Sequence, residues 1–183
     1  MKNSILLPYK ENFAPGYAGA VSLFVNDITK ESIFKKNTYI FGNTLAKKSL
    51  YENYFNLNLD RKIFQSTSKL YVKTFLEYEN KINSDLVEVH NRPNYINLIK
   101  KKFSKKIILY FHNDPLTMNG SKKKSERIDL LNNVDKIIFN SNWSKKRFFL
   151  DLPNKKLLSD KTAICYQSSS KVKINFKEKE KTI

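Results

Sequence analysis

The chain has 183 residues and a mass of 21.5 kDa, enough for one α/β domain with a substantial core but not comfortably for two. Hydrophobic residues make up 40% of it, with only four glycines and five prolines, which argues against a disordered or low-complexity chain. The formal net charge of +17 predicts attraction to a polyanion: nucleic acid, an anionic lipid surface or a phosphorylated substrate.

Lysine dominates the positive charge, because the 34 basic residues include only four arginines: Arg61, Arg92, Arg127 and Arg147. Guanidinium is the preferred group for reading bases and for two-point contacts to phosphate, so this choice disfavours sequence-specific DNA binding. Abundant lysine and asparagine also follow from an AT-rich genome. The high positive charge therefore has two explanations: the base composition of the genome, or selection for a basic protein surface.

Hydropathy and cysteine content predict a cytoplasmic protein. The longest central apolar run, from Ile107 to Phe111, is far shorter than the roughly 20 residues of a membrane-spanning helix. The N-terminal apolar stretch is too short for a signal peptide, and the single Cys165 cannot form an internal disulfide. If the protein binds an anionic membrane, we expect it to bind peripherally, at the inner face of the cytoplasmic membrane.

The first half of the chain alternates short apolar runs with helical patterns. Ile5 to Leu7 is the first predicted strand, and Val21, Phe24, Val25 and Ile28 form one stripe of a helix after a glycine-containing loop. Thr38 to Phe41 is the second strand. The stretch from Leu45 to Arg61 has no clear pattern, and Lys62 to Gln65 is a candidate strand. Leu70 to Tyr78 is predicted to be helical.

The second half repeats the alternation more clearly. Leu86 to Val89, Lys106 to Phe111, Lys136 to Phe139 and Thr162 to Tyr166 are predicted strands. Helices are predicted over Tyr95 to Phe103, Arg127 to Leu131 and Trp143 to Leu150, the last capped by Ser141 or Asn142. This pattern predicts an α/β fold, a Rossmann-like parallel sheet flanked by helices.

Polar residues directly follow several of these strands. Ligands of open parallel sheets bind outside the carboxyl ends of the strands, so these residues are the candidate site. Both histidines of the chain belong to the set, since His90 and His112 each end an apolar run and each precede an asparagine. A histidine at the end of a strand is more often structural than functional. The presence of two such histidines favours a functional role, but leaves the structural alternative open.

Small and basic residues complete the candidate site. Gly19 and Ala20 allow backbone amides to approach a phosphate or sugar at the start of the first helix, although they also serve a simple turn. Arg92 is placed to hold an anionic group, with a surface ion pair as the alternative. No G-x-G-x-x-G occurs, which disfavours nicotinamide cofactors, and the histidines have no neighbouring ligand cluster, so no metal site is predicted.

Four segments occur in a fixed order along the chain: Leu7-Pro8-Tyr9 with Gly19-Ala20-Val21, Val87 to Pro93, Ile108 to Asn113, and Ile137 to Ser144. Together they resemble the N-terminal half of retaining GT-B glycosyltransferases of family 4, which includes many enzymes of lipopolysaccharide and cell-surface glycan synthesis. Each motif is weak alone, whereas their order and spacing over nearly the whole chain are fairly specific. Gly19-Ala20 stands where the family has a double glycine.

The resemblance implies one half of a GT-B fold, with residues 1–170 as an acceptor-binding domain and residues 171–183 as a linker toward an absent donor-binding domain. It implies a glycosyltransferase of hexosyltransferase type, inactive as an isolated fragment, that uses a nucleotide-sugar donor and no metal or other cofactor. His112 would be the catalytic residue. The substrate-binding residues would be Gly19, Ala20, His90, Asn91, Arg92, Asn113 and Ser141.

A non-catalytic module that binds nucleic acid or another polyanion is the alternative hypothesis. Such a module needs exposed aromatic side chains interleaved with lysine, as stacking platforms for bases. Most aromatic residues here fall on apolar strand and helix positions, which makes nucleic acid a disfavoured partner.

Overall fold

A seven-stranded, wholly parallel sheet forms the centre of the computed structural model, which describes residues 1–44, 46–59, 66–152 and 159–167. The strands are β1 (Asn3–Leu6), β2 (Thr38–Gly42), β3 (Tyr54–Asn56), β4 (Leu86–His90), β5 (Lys106–Phe111), β6 (Lys136–Phe139) and β7 (Thr162–Ile164). Their order is β3-β2-β1-β4-β5-β6-β7. The predicted Rossmann-like α/β fold is confirmed. Successive strands are added toward one edge of the sheet from β1 to β3 and toward the other edge from β4 to β7, so the strand order reverses between β1 and β4.

The described helices are α1 (Ala20–Glu31), α2 (Thr67–Ile82), α3 (Ile96–Lys100), α4 (Lys124–Asn133) and α5 (Asn142–Phe148). Each contains part of a predicted helix. The predicted helix over Tyr95 to Phe103 is shorter, because Pro93–Tyr95 forms a 3-10 turn ahead of α3. Ser141 caps α5, its Oγ accepting the N–H of Ser144 at 3.1 Å, as the sequence predicts.

Two hydrophobic clusters lie on opposite faces of the sheet. The larger cluster includes Phe75 of α2, Ile99 of α3, Leu130 of α4 and Phe148 of α5, packed on strand residues such as Val89 and Phe111. The smaller cluster joins Val21, Phe24 and Val25 of α1 to Ile5, Leu7 and Ile40. Alternation along the parallel strands therefore places a distinct set of side chains under α1.

Several predicted boundaries differ from the structure. The first strand begins two residues earlier, and the last strand ends at Ile164, so that Cys165 follows it and Tyr166 is 63% exposed. β3 was not recognisable in the patternless stretch, because it is three residues long and only partly buried at the sheet edge. The candidate strand from Lys62 to Gln65, like the predicted linker 171–183, lies outside the described residues.

In the described part of the chain, no helix combines the length and the apolar composition needed to cross a membrane. The described ranges also contain no group of three or more His, Cys, Asp or Glu side chains arranged as metal ligands.

Candidate functional site

A cleft of about 360 Å³ opens at the carboxyl edge of the sheet, next to the point where the strand order reverses. We call it the histidine cleft. It is lined by Pro8, Glu11, Gly19, Ala20, Val21, Asn91, Arg92, His112, Asn113 and Gln167. Six of the eight predicted site residues thus meet in one place, although they come from three separate strand ends: Gly19, Ala20, Asn91, Arg92, His112 and Asn113.

A second cleft of about 430 Å³ adjoins the first. We call it the lysine cleft, after Lys122. Its lining is almost entirely polar and contains no carboxylate: Ser68, Asn91, Arg92, Asn94, Asn113, Thr117, Met118, Asn119 and Lys122. Asn91, Arg92 and Asn113 line both clefts and form the wall between them.

The two histidines lie on the face of the sheet under α1 and contact each other. His90 Nδ1 is 2.9 Å from His112 Nε2, and the two rings are near-parallel with centroids 5.1 Å apart. His90 is the last residue of β4, paired with Tyr110, whereas His112 lies two residues beyond Tyr110. This register puts His112 at the cleft and His90 one layer below it.

His90 therefore does not reach the cleft, contrary to the expectation that it would contact a ligand. Its side chain is completely buried and stacks on the ring of Tyr110 at 4.6 Å. His112 is 9% exposed and lines the cleft, where Gln167 Nε2 lies 3.2 Å from its Nδ1. Burial, followed by the neighbouring His90, lowers the pKa of His112 to about 3, so its imidazole is neutral near pH 7.

Asparagine side chains hold the backbone of His112. Asn91 has a left-handed φ of 53°, and its Oδ1 accepts the N–H of His112 at 2.8 Å. Asn140 donates from Nδ2 to the carbonyl of His112 at 2.7 Å. The side chain of Asn91, which is predicted to bind substrate, thus bonds within the protein, while the residue still lines both clefts. The sequence assigns Asn140 no role, and its only signal is its place directly after β6.

Ser141 is the other predicted residue that lines neither cleft. Its hydroxyl accepts the N–H of Ser144 and lies 3.1 Å from the Ser144 hydroxyl, so its polar atoms serve the start of α5. The structure places Ser141 as a helix cap.

The start of α1 already holds a carboxylate. Glu11 Oε1 accepts the N–H of Ser22 at 3.2 Å, and a Cβ at position 19 would lie only 2.2 Å from the same oxygen. Gly19 therefore leaves room for the Glu11 side chain. An anion at this helix terminus would have to displace Glu11, a residue whose part in the site has no marker in the sequence.

Arg92 differs from the two other arginines that the structure describes. Arg127 is buried and donates to the carbonyls of Ser121, Lys122 and Leu150, and Arg147 pairs with Asp114 at 2.9 Å. Arg92 donates to the carbonyl of Asn91 at 2.7 Å, and no carboxylate of the described residues lies within ion-pair distance. Its charge is available to a ligand in either cleft.

No protein-family model and no curated protein matches the sequence. Solved structures do match. Sucrose-phosphate synthase from Thermosynechococcus elongatus superposes with a TM-score of 0.60 at 12% identity, over 92% of this chain and 49% of that one. HepE from Anabaena in complex with UDP and glucose gives 0.57 at 14% identity, over 91% of this chain and 44% of that one.

UDP-GlcNAc 2-epimerase from Neisseria meningitidis bound to UDP-GlcNAc gives a TM-score of 0.59 at 13% identity, over 90% of this chain and 46% of the other. The chain thus spans about half the length of each of these proteins. At such identities the likeness lies in the fold: the chain has the architecture of one Rossmann-like half of a GT-B fold.

Proposed function

We propose that the chain is the acceptor-binding half of a retaining glycosyltransferase of family 4 that uses a nucleotide sugar and has a cell-surface or lipid-linked saccharide as its acceptor. The observation that carries the proposal is the pair of adjoining polar clefts at the reversal point of the sheet, divided by Asn91, Arg92 and Asn113. Solved structures of the same fold in complex with UDP and glucose or with UDP-GlcNAc support it.

In this proposal the histidine cleft takes the donor side. Gly19 and Ala20 face the donor phosphates once these displace the Glu11 carboxylate from the start of α1, and His112 and Asn113 face the donor sugar. A neutral imidazole suits this place, because it orients a hydroxyl without adding charge beside the reacting carbon. The lysine cleft takes the acceptor, whose hydroxyls meet the amides and hydroxyls of Asn94, Thr117 and Asn119. Arg92, on the shared wall, attracts negative charge on either substrate.

The proposed reaction breaks the bond between the anomeric carbon and the donor phosphate and forms a bond from that carbon to an acceptor hydroxyl. The hydroxyl proton passes to an oxygen of the leaving phosphate on the same face. No pair of carboxylates is needed, unlike in glycosidases. The chain contributes by orienting both sugars and by placing Arg92 near the developing negative charge.

Binding of UDP-glucose to the 183-residue chain, followed through backbone amide NMR shifts, tests the proposal. We expect perturbed amides at Gly19, His112 and Asn113, and weaker binding by Asn113→Ala than by the control Asn132→Ala, an exposed α4 residue that lines neither cleft. Binding of UDP-glucose with shifts confined to surfaces outside the two clefts would contradict it. Retention is tested by the anomeric configuration of the product formed when the chain acts together with a donor-binding domain.

A peripheral contact with an anionic membrane is a further part of the proposal. Ile33 is 90% exposed beyond the end of α1, and Lys30, Lys35 and Lys36 flank it. Lysines near an anionic bilayer each contribute about 1 kcal/mol, and an exposed isoleucine adds apolar contact. Co-sedimentation with phosphatidylglycerol vesicles should fall at high salt and in Ile33→Ser. Binding equal to that on neutral vesicles would remove this part.

The nucleic-acid alternative is not favoured. The exposed aromatic side chains of the described ranges are Tyr17, Tyr78, Trp143 and Tyr166, while most other aromatic residues lie in the two hydrophobic clusters. Trp143 is moreover stacked by the guanidinium of Arg147, 5.6 Å from the ring centroid. These residues do not form the lysine-interleaved series that single strands require.

A further inference from the structure

We propose that Glu88 and His90 are positioning residues that fix His112 in the tautomer protonated on Nε2, so that its Nδ1 accepts a hydrogen bond from a ligand hydroxyl in the histidine cleft. The inference rests on the proposed function for the identity of that ligand. The tautomer itself follows from the buried contacts behind the cleft wall.

The contact between the two imidazoles permits only two arrangements while both rings are neutral. A neutral imidazole carries one N–H, and His90 Nδ1 and His112 Nε2 are 2.9 Å apart, so one of these nitrogens donates to the other. If His112 donates, both rings are protonated on Nε2 and the cleft receives a lone pair on Nδ1. If His90 donates, both rings are protonated on Nδ1 and the cleft receives an N–H.

Glu88 selects between these arrangements. Its Oε2 lies 3.8 Å from His90 Nε2, within ion-pair distance, and both atoms are buried without a hydrogen-bond partner in the described protein. The other carboxylate oxygen accepts from the side-chain amide of Asn3. Negative charge beside His90 Nε2 favours an N–H there and disfavours a lone pair. With the proton of His90 on Nε2, its Nδ1 accepts from His112, which leaves Nδ1 of His112 unprotonated.

Contacts with neighbouring side chains restrict rotation of the two imidazole rings. His90 stacks on Tyr110 at an interplanar angle of 6°, and Phe24 meets His112 edge-on with centroids 5.0 Å apart. On the cleft side, the amide nitrogen of Gln167 lies 3.2 Å from His112 Nδ1 and occupies the donor position. Gln167 is exposed, so a ligand hydroxyl can replace its amide at the same nitrogen.

Nitrogen-15 NMR of histidine side chains tests the inference directly, because the chain contains only two histidines. In the unliganded wild-type chain near pH 7 we expect both Nε2 atoms protonated, both Nδ1 atoms unprotonated, and scalar coupling between His112 Nε2 and His90 Nδ1. A protonated Nδ1 on His112 would overturn the proposal. This measurement needs no variant and no ligand.

Glu88→Gln removes the charge while nearly preserving shape, and should populate the second tautomer of both rings. Glu79→Gln alters another buried carboxylate that bonds to Ser4 and Ser84 instead of a histidine, and should leave the tautomers unchanged. Glu126→Gln, on the exposed start of α4, is the control that leaves the core intact. An unchanged spectrum in folded Glu88→Gln would assign Glu88 no positioning role.

The ligand arm uses UDP-glucose. Gln167→Ala should keep the tautomer, shift the Nδ1 resonance of His112, and bind UDP-glucose severalfold more tightly, since the competing amide is gone. If the wild-type tautomer is as expected but UDP-glucose shifts neither histidine, the positioning holds and the proposed donor assignment fails. If UDP-glucose binds while His112 is protonated on Nδ1, the proposed function survives and this inference is wrong.

Discussion

Glu11 reaches the first turn of α1, where its Oε1 accepts the backbone N–H of Ser22 at 3.2 Å. The carboxylate stands where an anionic ligand would meet the helix terminus. Glu11→Gln should therefore increase the affinity for pyrophosphate about three- to tenfold, on the order of 1 kcal/mol for one charge near a helix end.

Calorimetric titration of the 183-residue chain with pyrophosphate measures this effect. Glu31→Gln makes the same charge change at the far end of α1 and is the matched control. Equal affinities of the two variants would mean that the gain reflects net charge alone and not the place of Glu11.

Neutral His112 makes stability depend on pH in a defined direction. Its pKa is lowered to about 3, first by burial and then by His90, against about 6.5 in an unfolded chain. Below pH 6.5 the His112 imidazole is protonated in the unfolded state but stays neutral in the folded state. The free energy of unfolding therefore falls as pH falls toward 3, by at most about 1.4 kcal/mol per pH unit from this group.

His112→Gln removes this titration, and urea unfolding at pH 7, 6, 5 and 4 compares the two proteins. The unfolding free energy of the wild type minus that of the variant should decrease as pH decreases, because only the wild type contains the His112 titration. A difference that stays constant over this interval would show that His112 protonates alike in both states.

Gly120 permits close contact between two backbone segments beside the lysine cleft. Its φ is +93°, and a Cβ there would lie 2.6 Å from the backbone nitrogen of Asn94. Gly120→Ala should lower the free energy of unfolding by about 2 kcal/mol or more, combining backbone strain with a clash that no side-chain rotation relieves.

Gly16→Ala is the control, because Gly16 has a similar φ of +79° but nothing within 4 Å of the added methyl group. It should cost about 1 kcal/mol, and the difference between the variants isolates the contact with Asn94. Equal losses in thermal or urea unfolding would show that this contact adds nothing.

Asp114 joins two elements at the carboxyl edge of the sheet. Oδ1 accepts the N–H of Leu116 at 3.0 Å, and Oδ2 accepts from Arg147 of α5 at 2.9 Å. Partial burial raises the pKa of Asp114, but the hydrogen bonds from Arg147 and Leu116 outweigh it and leave the pKa below its usual value. Asp114→Ala should cost about 1 to 2 kcal/mol.

Urea unfolding at neutral pH measures this loss, and Asp129→Ala, at an exposed position of α4, should leave stability nearly unchanged. Because the pKa of Asp114 is lowered, its contribution is present at neutral pH and is lost as pH falls through the folded-state value. A loss in Asp114→Ala no larger than in Asp129→Ala would contradict a stabilising role for the pair.

The sequence predicts the fold better than it predicts the site. Buried parallel strands such as Lys106–Phe111 are continuous apolar runs, so their presence and order can be inferred, whereas a three-residue edge strand such as Tyr54–Asn56 leaves no such pattern. The loops that follow the strands also predict which residues gather at one edge, including Gly19, Arg92 and His112.

How deeply each of these side chains lies below the cleft surface depends on the register between neighbouring strands. A single sequence does not specify that register. Because His90 pairs with Tyr110, it lies under His112 instead of beside it. The role of Glu11 depends on how the loop before α1 folds back, and that of Asn91 on its left-handed backbone, neither of which has a local pattern in the residue types.

The common wall of the two clefts makes their occupants electrostatic neighbours. A diphosphate on one side of Arg92 and an anionic group on the other would draw on the same guanidinium, so filling one cleft weakens the other for a second anion and leaves it open to a neutral polyol. The two clefts would therefore bind one charged and one uncharged ligand together more readily than two charged ligands. This shared wall would favour some pairs of substrates over others.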